Sequence, residues 1–322
     1  MRFFASVVLL SVLLPSCARH DDGGPLFPVI VEKKGGYINR GGDVVIKPKF
    51  DIPGSFVDSI AVVKILGLYA YINRSGGYVV DPKFEFGEDF AEGLAYVRVN
   101  GKGGFIDRNG KIVIEPEYNF GDRFSEGLAR VMVNGKYGYV DKRGEYQINP
   151  SFDVADDFVE GRARVRVGKQ WGFVGRHGKF VVEPIFEDAR NFSEGLAAVK
   201  TKKLWGCIDT LGQVIIRPRF HDAKTFSEGL LAVQEDSLWG FVGNTGTMVI
   251  LFRYRDALPF SEGLAAVKSA AGWGFVTRGG EEVIPLQFDK SWSFKDSLAA
   301  VFIEGEWGYV DHSGAYVWEP SH

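Results

Sequence analysis

The sequence predicts an all-β fold made of tandem repeats, and three observations lead there. A glycine returns every 34 residues at Gly36, Gly104, Gly138, Gly172, Gly206, Gly240, Gly274 and Gly308, with Ala70 in the one exceptional copy. Inside each copy, apolar residues stand two apart, as Ala197 and Val199 do, which places them on one face of a strand. The 41 glycines and 14% aromatics suit short strands joined by tight turns, and 45% apolar with 25% charged residues describes a folded soluble chain. A fixed period of this size means that each repeat buries its apolar face against its neighbours. Nine copies fill residues 26–320 as one body without an internal boundary.

Residues 1–16 precede the array and read as an export signal. Arg2 supplies the positive start and Phe3 to Leu14 an apolar core too short to span a bilayer. Leu14-Pro15-Ser16-Cys17 resembles the bacterial lipoprotein signal, which implies that Cys17 is acylated and becomes the mature N-terminus. Ala18, in place of an aspartate after that cysteine, implies the outer membrane by the same resemblance. The alternative is an ordinary signal and a secreted or periplasmic protein. Residues 17–25 form a tether through Asp21-Asp22-Gly23-Gly24-Pro25. With Cys17 lipidated, Cys207 is left without a disulfide partner, and it occupies an apolar slot held elsewhere by Phe173, Phe241 and Phe275.

One repeat reads as three strands. Phe192-Ser193-Glu194-Gly195 is a turn, and Leu196-Ala197-Ala198-Val199 is the first strand. A tight turn follows, clearest at Asn100-Gly101 and Asn134-Gly135, where both central residues favour positive φ. The second strand carries the motif, Trp171-Gly172-Phe173-Val174, with its faces covered on both sides and a glycine that something packs against directly. An Asp-x-x-Gly turn, as at Asp209 to Gly212, leads to a third strand ended by proline at Pro48, Pro82, Pro116, Pro150, Pro184, Pro218 or Pro320. The connector beyond it packs a small residue, Ala189 or Ala223, between aromatics under the sheet.

These elements together resemble the WG-repeat family over residues 26–320. The resemblance implies a bacterial, mostly β repeat protein used for interaction, without catalytic residues to carry over. Its motif residues are Trp171, Gly172, Trp205, Gly206, Trp239, Gly240, Trp273, Gly274, Trp307 and Gly308. Gly35, Tyr69, Gly103 and Tyr137 replace the tryptophan in early copies, and Phe252 replaces a proline. The array opens on a first strand and closes on a third, so no strand is left over to share a blade between its ends. The expected architecture is therefore an open or loosely closed superhelical stack of three-stranded antiparallel meanders, with a closed β-propeller-like ring as the alternative.

Function is read from what repeats. A net charge of −3 gives no reason to expect nucleic acid as a partner. The chain lacks a nucleophile elbow, a phosphate loop and a metal-ligand cluster, so neither enzyme activity, cofactor nor metal is expected. Equivalent glutamates at 92, 126, 160, 194, 228 and 262 look structural, since an acid must differ from its copies to be tuned. Residues 34 apart stack in columns, and Lys64, Arg98, Arg130, Arg164, Arg166, Lys200 and Lys268 form a basic stripe that could dock an anionic envelope polymer or an envelope protein. Other readings are glycan binding on the repeated tryptophans, which are expected to form an internal ladder instead, and a passive spacer. The expectation is a non-catalytic, lipid-anchored envelope scaffold.

Overall fold

The computed structural model describes residues 23–320, so the expected signal and the lipidation candidate Cys17 lie outside the described residues. Nine antiparallel sheets follow one another along the chain. The first contains Phe27–Val31, Lys34–Ile38 and Val44–Phe50, and each of the other eight has four strands. Numbered in chain order, these are blades 1 to 9, of which blade 6 is typical. Its strands Asp188–Ala189, Leu196–Thr201, Leu204–Asp209 and Val214–Phe220 lie side by side in that order. Among the described residues, no helix is long and apolar enough to cross a membrane.

The segment expected to be a connector under the sheet is thus a strand, and the expected three-stranded unit gives way to a four-stranded blade. Asp188 pairs with Lys200 and Ala189 with Val199, while Arg190 N–H donates to Ala198 O at 2.8 Å. Such a ladder is too short to leave an alternating pattern in the sequence. A hairpin joins this strand to the next through Glu194 and Gly195, at φ of 56° and 76°, the pair of positive values that a type I′ turn requires.

The expected open stack is also overturned, because the sheets form a closed nine-bladed propeller. Phe27, Val29 and Ile38 of blade 1 share a buried cluster with Leu298 of blade 9, flanked by Tyr309, Val317 and Trp318. The Tyr309 hydroxyl donates to Pro28 O at 2.9 Å, and its ring lies 5.5 Å from that of Phe27. Among the described residues no strand is shared across this seam, as expected. Closure needs none, because the face blade 9 offers to blade 1 is the one each blade offers to the next.

Those faces make up the core. Trp205, Cys207, Ile216 and Phe220 of blade 6 pack on Ala223, Phe226, Leu231 and Val233 of blade 7. The phenylalanine in or just after the innermost strand meets the side chain after the motif glycine of the preceding blade, a ring at 4.6 Å for Phe173–Phe192 and 4.9 Å for Phe241–Phe260, and Cys207 for Phe226. The recurring alanines, Ala95 to Ala299, are fully buried, which leaves the next blade room to approach. The repeated glutamates tie neighbouring blades: Glu126 accepts from Gly161 N at 2.9 Å, and Glu194 from Gly229 N at 2.7 Å.

The motif glycine has a mechanical reason. Trp171 pairs with Phe186 and Phe173 with Val182, so the outermost strand bulges opposite Gly172. A Cβ on Gly172 would stand 2.7 Å from both Val182 O and Pro184 N. The recurring proline therefore sits within the strand at this bulge instead of ending it, since a residue without an N–H fits where the ladder is broken. Cys207 is 1% exposed, and burial pushes its thiol up to about 12. A Cys17→Ser protein is accordingly expected to stay unlabelled by maleimide when folded and to take up one label in denaturant. Fast labelling of the folded protein would contradict this packing.

Candidate functional site

The innermost strands line a central channel. Residues of blades 2 to 5, among them Gly54, Glu88, Asp89, Asp122, Arg123 and Asp157, surround one cavity of about 380 Å3, which places these strands around a common axis. The two residues each blade presents there belong to columns 34 apart. One column runs Gly54, Glu88, Asp122, Asp156, Arg190, Lys224, Leu258 and Trp292. Its neighbour runs Ser55, Asp89, Arg123, Asp157, Asn191, Thr225, Pro259 and Ser293. The wall is acidic over blades 3 to 5, basic over blades 6 and 7, and apolar or aromatic over blades 8 and 9.

Ion pairs join adjacent innermost strands around this wall. Arg130 pairs with Asp122 of its own blade and donates to Ala155 O of the next, with Asp156 at 3.6 Å. Arg164 repeats the arrangement one blade on, holding Asp156 at 2.5 Å and Ala189 O. Arg190 reaches Ala223 O at 3.1 Å and Asp222 at 3.4 Å. Both Arg130 and Arg164 are 17% exposed, so these two members of the expected basic stripe are engaged inside the molecule. Lys64, Arg166, Lys200 and Lys268 each lean over the ring in the motif slot, Tyr69, Trp171, Trp205 or Trp273, at 5.3–5.9 Å. Arg98 is exposed and donates to Gly101 O at 3.3 Å. The structure thus separates the stripe into a buried pairing set, four cations that lean on aromatics, and Arg98 on a backbone carbonyl.

The channel carboxylates are perturbed by one another. Glu88 is pushed up to about 8, first by burial, then by the Asp122 carboxylate beside it, with Arg130 opposing. Burial also raises Asp89 and Asp157. A folded pKa above the unfolded value means that the folded state binds the extra proton between about pH 4.5 and 8, so stability is present at low pH and is lost as pH rises through that window. The melting temperature is expected to fall from pH 5 to pH 8, and Glu88→Gln should flatten the decline. An unchanged slope in the variant would rule out Glu88 as its source. Among the described residues there is no group of three or more His, Cys, Asp or Glu placed to hold a metal.

A second feature lies at the seam. Trp205, Trp239 and Trp273 are buried between blades as the expected ladder, but Trp307 is 38% exposed beside Trp292, which is 49% exposed, with rings 4.5 Å apart. The sequence places Trp307 in the same expected ladder, from which its exposure departs. Its exposure follows from its place at the last blade, where the face it covers elsewhere meets blade 1, which has three strands among the described residues.

The repeat profile described as "WG containing repeat" matches residues 36–69, 69–102, 104–137, 137–171, 171–205, 205–239, 239–269 and 273–307. No curated protein matches the sequence. Among solved structures, a eukaryotic initiation factor is similar in fold, with a TM-score of 0.63 at 9% identity over 91% of this chain and 95% of that one. The dihydro-heme d1 dehydrogenase NirN, solved in complex with DHE, gives 0.51 at 12% identity over 96% of this chain and 76% of that one. At such identities the likeness concerns the fold.

Proposed function

The chain belongs to the WG-repeat family, and from that premise we propose that it is a non-catalytic binding scaffold of the bacterial cell envelope, tethered through Cys17 to the outer membrane. One observation carries the binding role: the columns that pack blades together barely vary, whereas the columns that line the channel change from blade to blade. Phenylalanine recurs at 56, 90, 124, 158, 192, 226, 260 and 294, while the channel column passes from Glu88 to Arg190 to Trp292. Packing alone would allow the same residue at every channel position. A wall whose charge and polarity are set blade by blade suits recognition of an asymmetric partner, and an envelope protein fits better than an anionic polymer, since Arg130 and Arg164 are already paired.

Crosslinking in intact cells, followed by identification of what is captured, tests this reading. Capture is expected to weaken when the tether is removed by Cys17→Ser, and to be lost on charge reversal at Asp89 and Asp157 with the fold retained. Capture that ignores both changes would contradict it.

A further inference from the structure

The seam between blades 9 and 1 contains a strand-shaped cleft. In blades 2 to 9 an innermost strand lies against the second strand, and in blade 6 it places Glu187 N on Lys200 O and Arg190 N on Ala198 O. The positions of Lys200 and Ala198 fall in blade 1 on Ile30 and Pro28, five repeats earlier. Among the described residues no strand pairs with that edge. Two adjoining cavities of about 480 and 390 Å3 run along it, sharing Pro28, Trp292, Ala300 and Tyr309. Volumes of this order accommodate a ligand.

Residues 23–25 do not supply the strand in register. Elsewhere the innermost strand folds back through two residues of positive φ, such as Glu92 and Gly93 at 51° and 91°. Gly24 and Pro25 occupy that place in blade 1. Arg74 donates to Gly24 O as Lys142 does to Glu92 O and Arg176 to Glu126 O, each 50 residues back. The pyrrolidine ring holds Pro25 at negative φ, so this turn cannot form.

The other blades define what the cleft accepts. In blades 3 to 9 this slot holds a small residue, Gly87, Gly121 or Ala189 for instance, with Pro53 in blade 2, and in all eight a phenylalanine follows three positions later. The small residue leaves room for a side chain of the preceding blade, as a Cβ on Gly121 would stand 2.7 Å from the Tyr96 ring, and the phenylalanine packs on the side chain after the preceding motif glycine, as Phe124 does on Phe105 at 5.0 Å. At the seam that side chain is Tyr309. Its counterparts Tyr37, Tyr71 and Tyr139 donate their hydroxyls to carbonyls of the next innermost strand, Gly54 O, Glu88 O and Asp156 O, at 2.8, 2.9 and 2.5 Å. Tyr309 donates to Pro28 O instead. We propose that the cleft binds an extended partner peptide with a small residue followed three positions later by phenylalanine, which adds to blade 1 as its fourth strand. Pro28 has no N–H to give such a strand, and the Tyr309 hydroxyl supplies the donor in its stead. Trp292 and Trp307 close over the peptide from blade 9. The site rests on the binding role proposed above and gives it a ligand class.

A synthetic peptide with the sequence of residues 187–195 contains the pattern at Ala189 and Phe192 and lacks tryptophan. Titrated into the full chain, it is expected to bind one to one and to change the tryptophan emission. Replacing its phenylalanine by alanine should weaken binding at least tenfold. In the protein, Trp292→Ala removes an exposed side chain and should weaken binding at least fivefold without changing the melting temperature, while Trp307→Phe should retain part of the affinity. Absence of saturable binding, as when a second copy or the chain's own terminal residues fill the cleft, overturns the proposal, and so does equal binding of the alanine peptide. Failure of the peptide with intact capture in cells would remove this site alone. Peptide binding without capture in cells would remove the envelope role alone.

Discussion

Replacing Trp239 by alanine is expected to lower the unfolding free energy by about 3–5 kcal/mol, measured by urea denaturation at fixed pH. Trp239 is 4% exposed and sits in the cluster joining blade 7 to blade 8, together with Phe241, Tyr254, Ala257 and Phe260. Its deletion removes contacts on both sides of one inter-blade face, and the closed ring prevents the two blades from sliding together to refill the space. The same substitution at Trp307 has a smaller expected effect, since its side chain is partly solvated and its neighbour across the seam has three strands among the described residues. A Trp307 variant as damaged as the Trp239 variant would mean that the seam is packed like the other junctions. A loss below about 1 kcal/mol at Trp239 would show that the inter-blade face does not hold the ring.

Arg130→Ala is expected to cost about 2–4 kcal/mol, somewhat less than a wholly buried pair because its side chain retains 17% exposure. The guanidinium joins Asp122 to Ala155 O and Asp156 of the next blade, so its loss leaves Asp122 without its arginine and unties the two innermost strands, while Asp156 keeps Arg164. Arg130 also opposes the upward shift of Glu88 and Asp157. Without it both rise further, the folded state holds its protons to higher pH, and the cost is greater at pH 8 than at pH 5. Unfolding curves at the two pH values check the sign. An equal loss at both would mean that the arginine does not act through the protons held by Glu88 and Asp157.

Much of the blade was legible in the sequence because its packing columns repeat. The alanine and valine columns, the Glu-Gly and Asn-Gly turns and the Asp-x-x-Gly turns all follow from alternation and backbone geometry that a single chain displays. Gly110 N, for example, donates to Asp107 O at 2.9 Å and closes the expected turn. The innermost strand was not legible, since in blades such as 3 and 6 it is two residues long, Phe86–Gly87 and Asp188–Ala189, and where it runs to six, as in Phe120–Ser125, a shift of register breaks its alternation. That omission had two consequences. It made each unit look three-stranded, and it hid the channel, because the residues that line it lay in what read as a connector. Ring closure was illegible for a different reason: the angle between blades is set by how alanines and phenylalanines stack in three dimensions, which periodicity does not encode. Arg130 and Arg164 read as exposed cations because their partners Asp122 and Asp156 stand eight residues earlier, on that same unseen strand.

Closure of the ring is the claim on which the channel and the seam both depend. Spin labels at Ile30→Cys and Phe302→Cys, in a protein carrying Cys17→Ser, mark equivalent positions on blades 1 and 9. Labels at Lys64→Cys and Arg98→Cys mark the same positions on adjacent blades 2 and 3. Pulsed electron resonance is expected to give the first pair a distance as short and as narrowly distributed as the second. A much longer or broadly spread distance for the first pair would mean that the blades form an open stack.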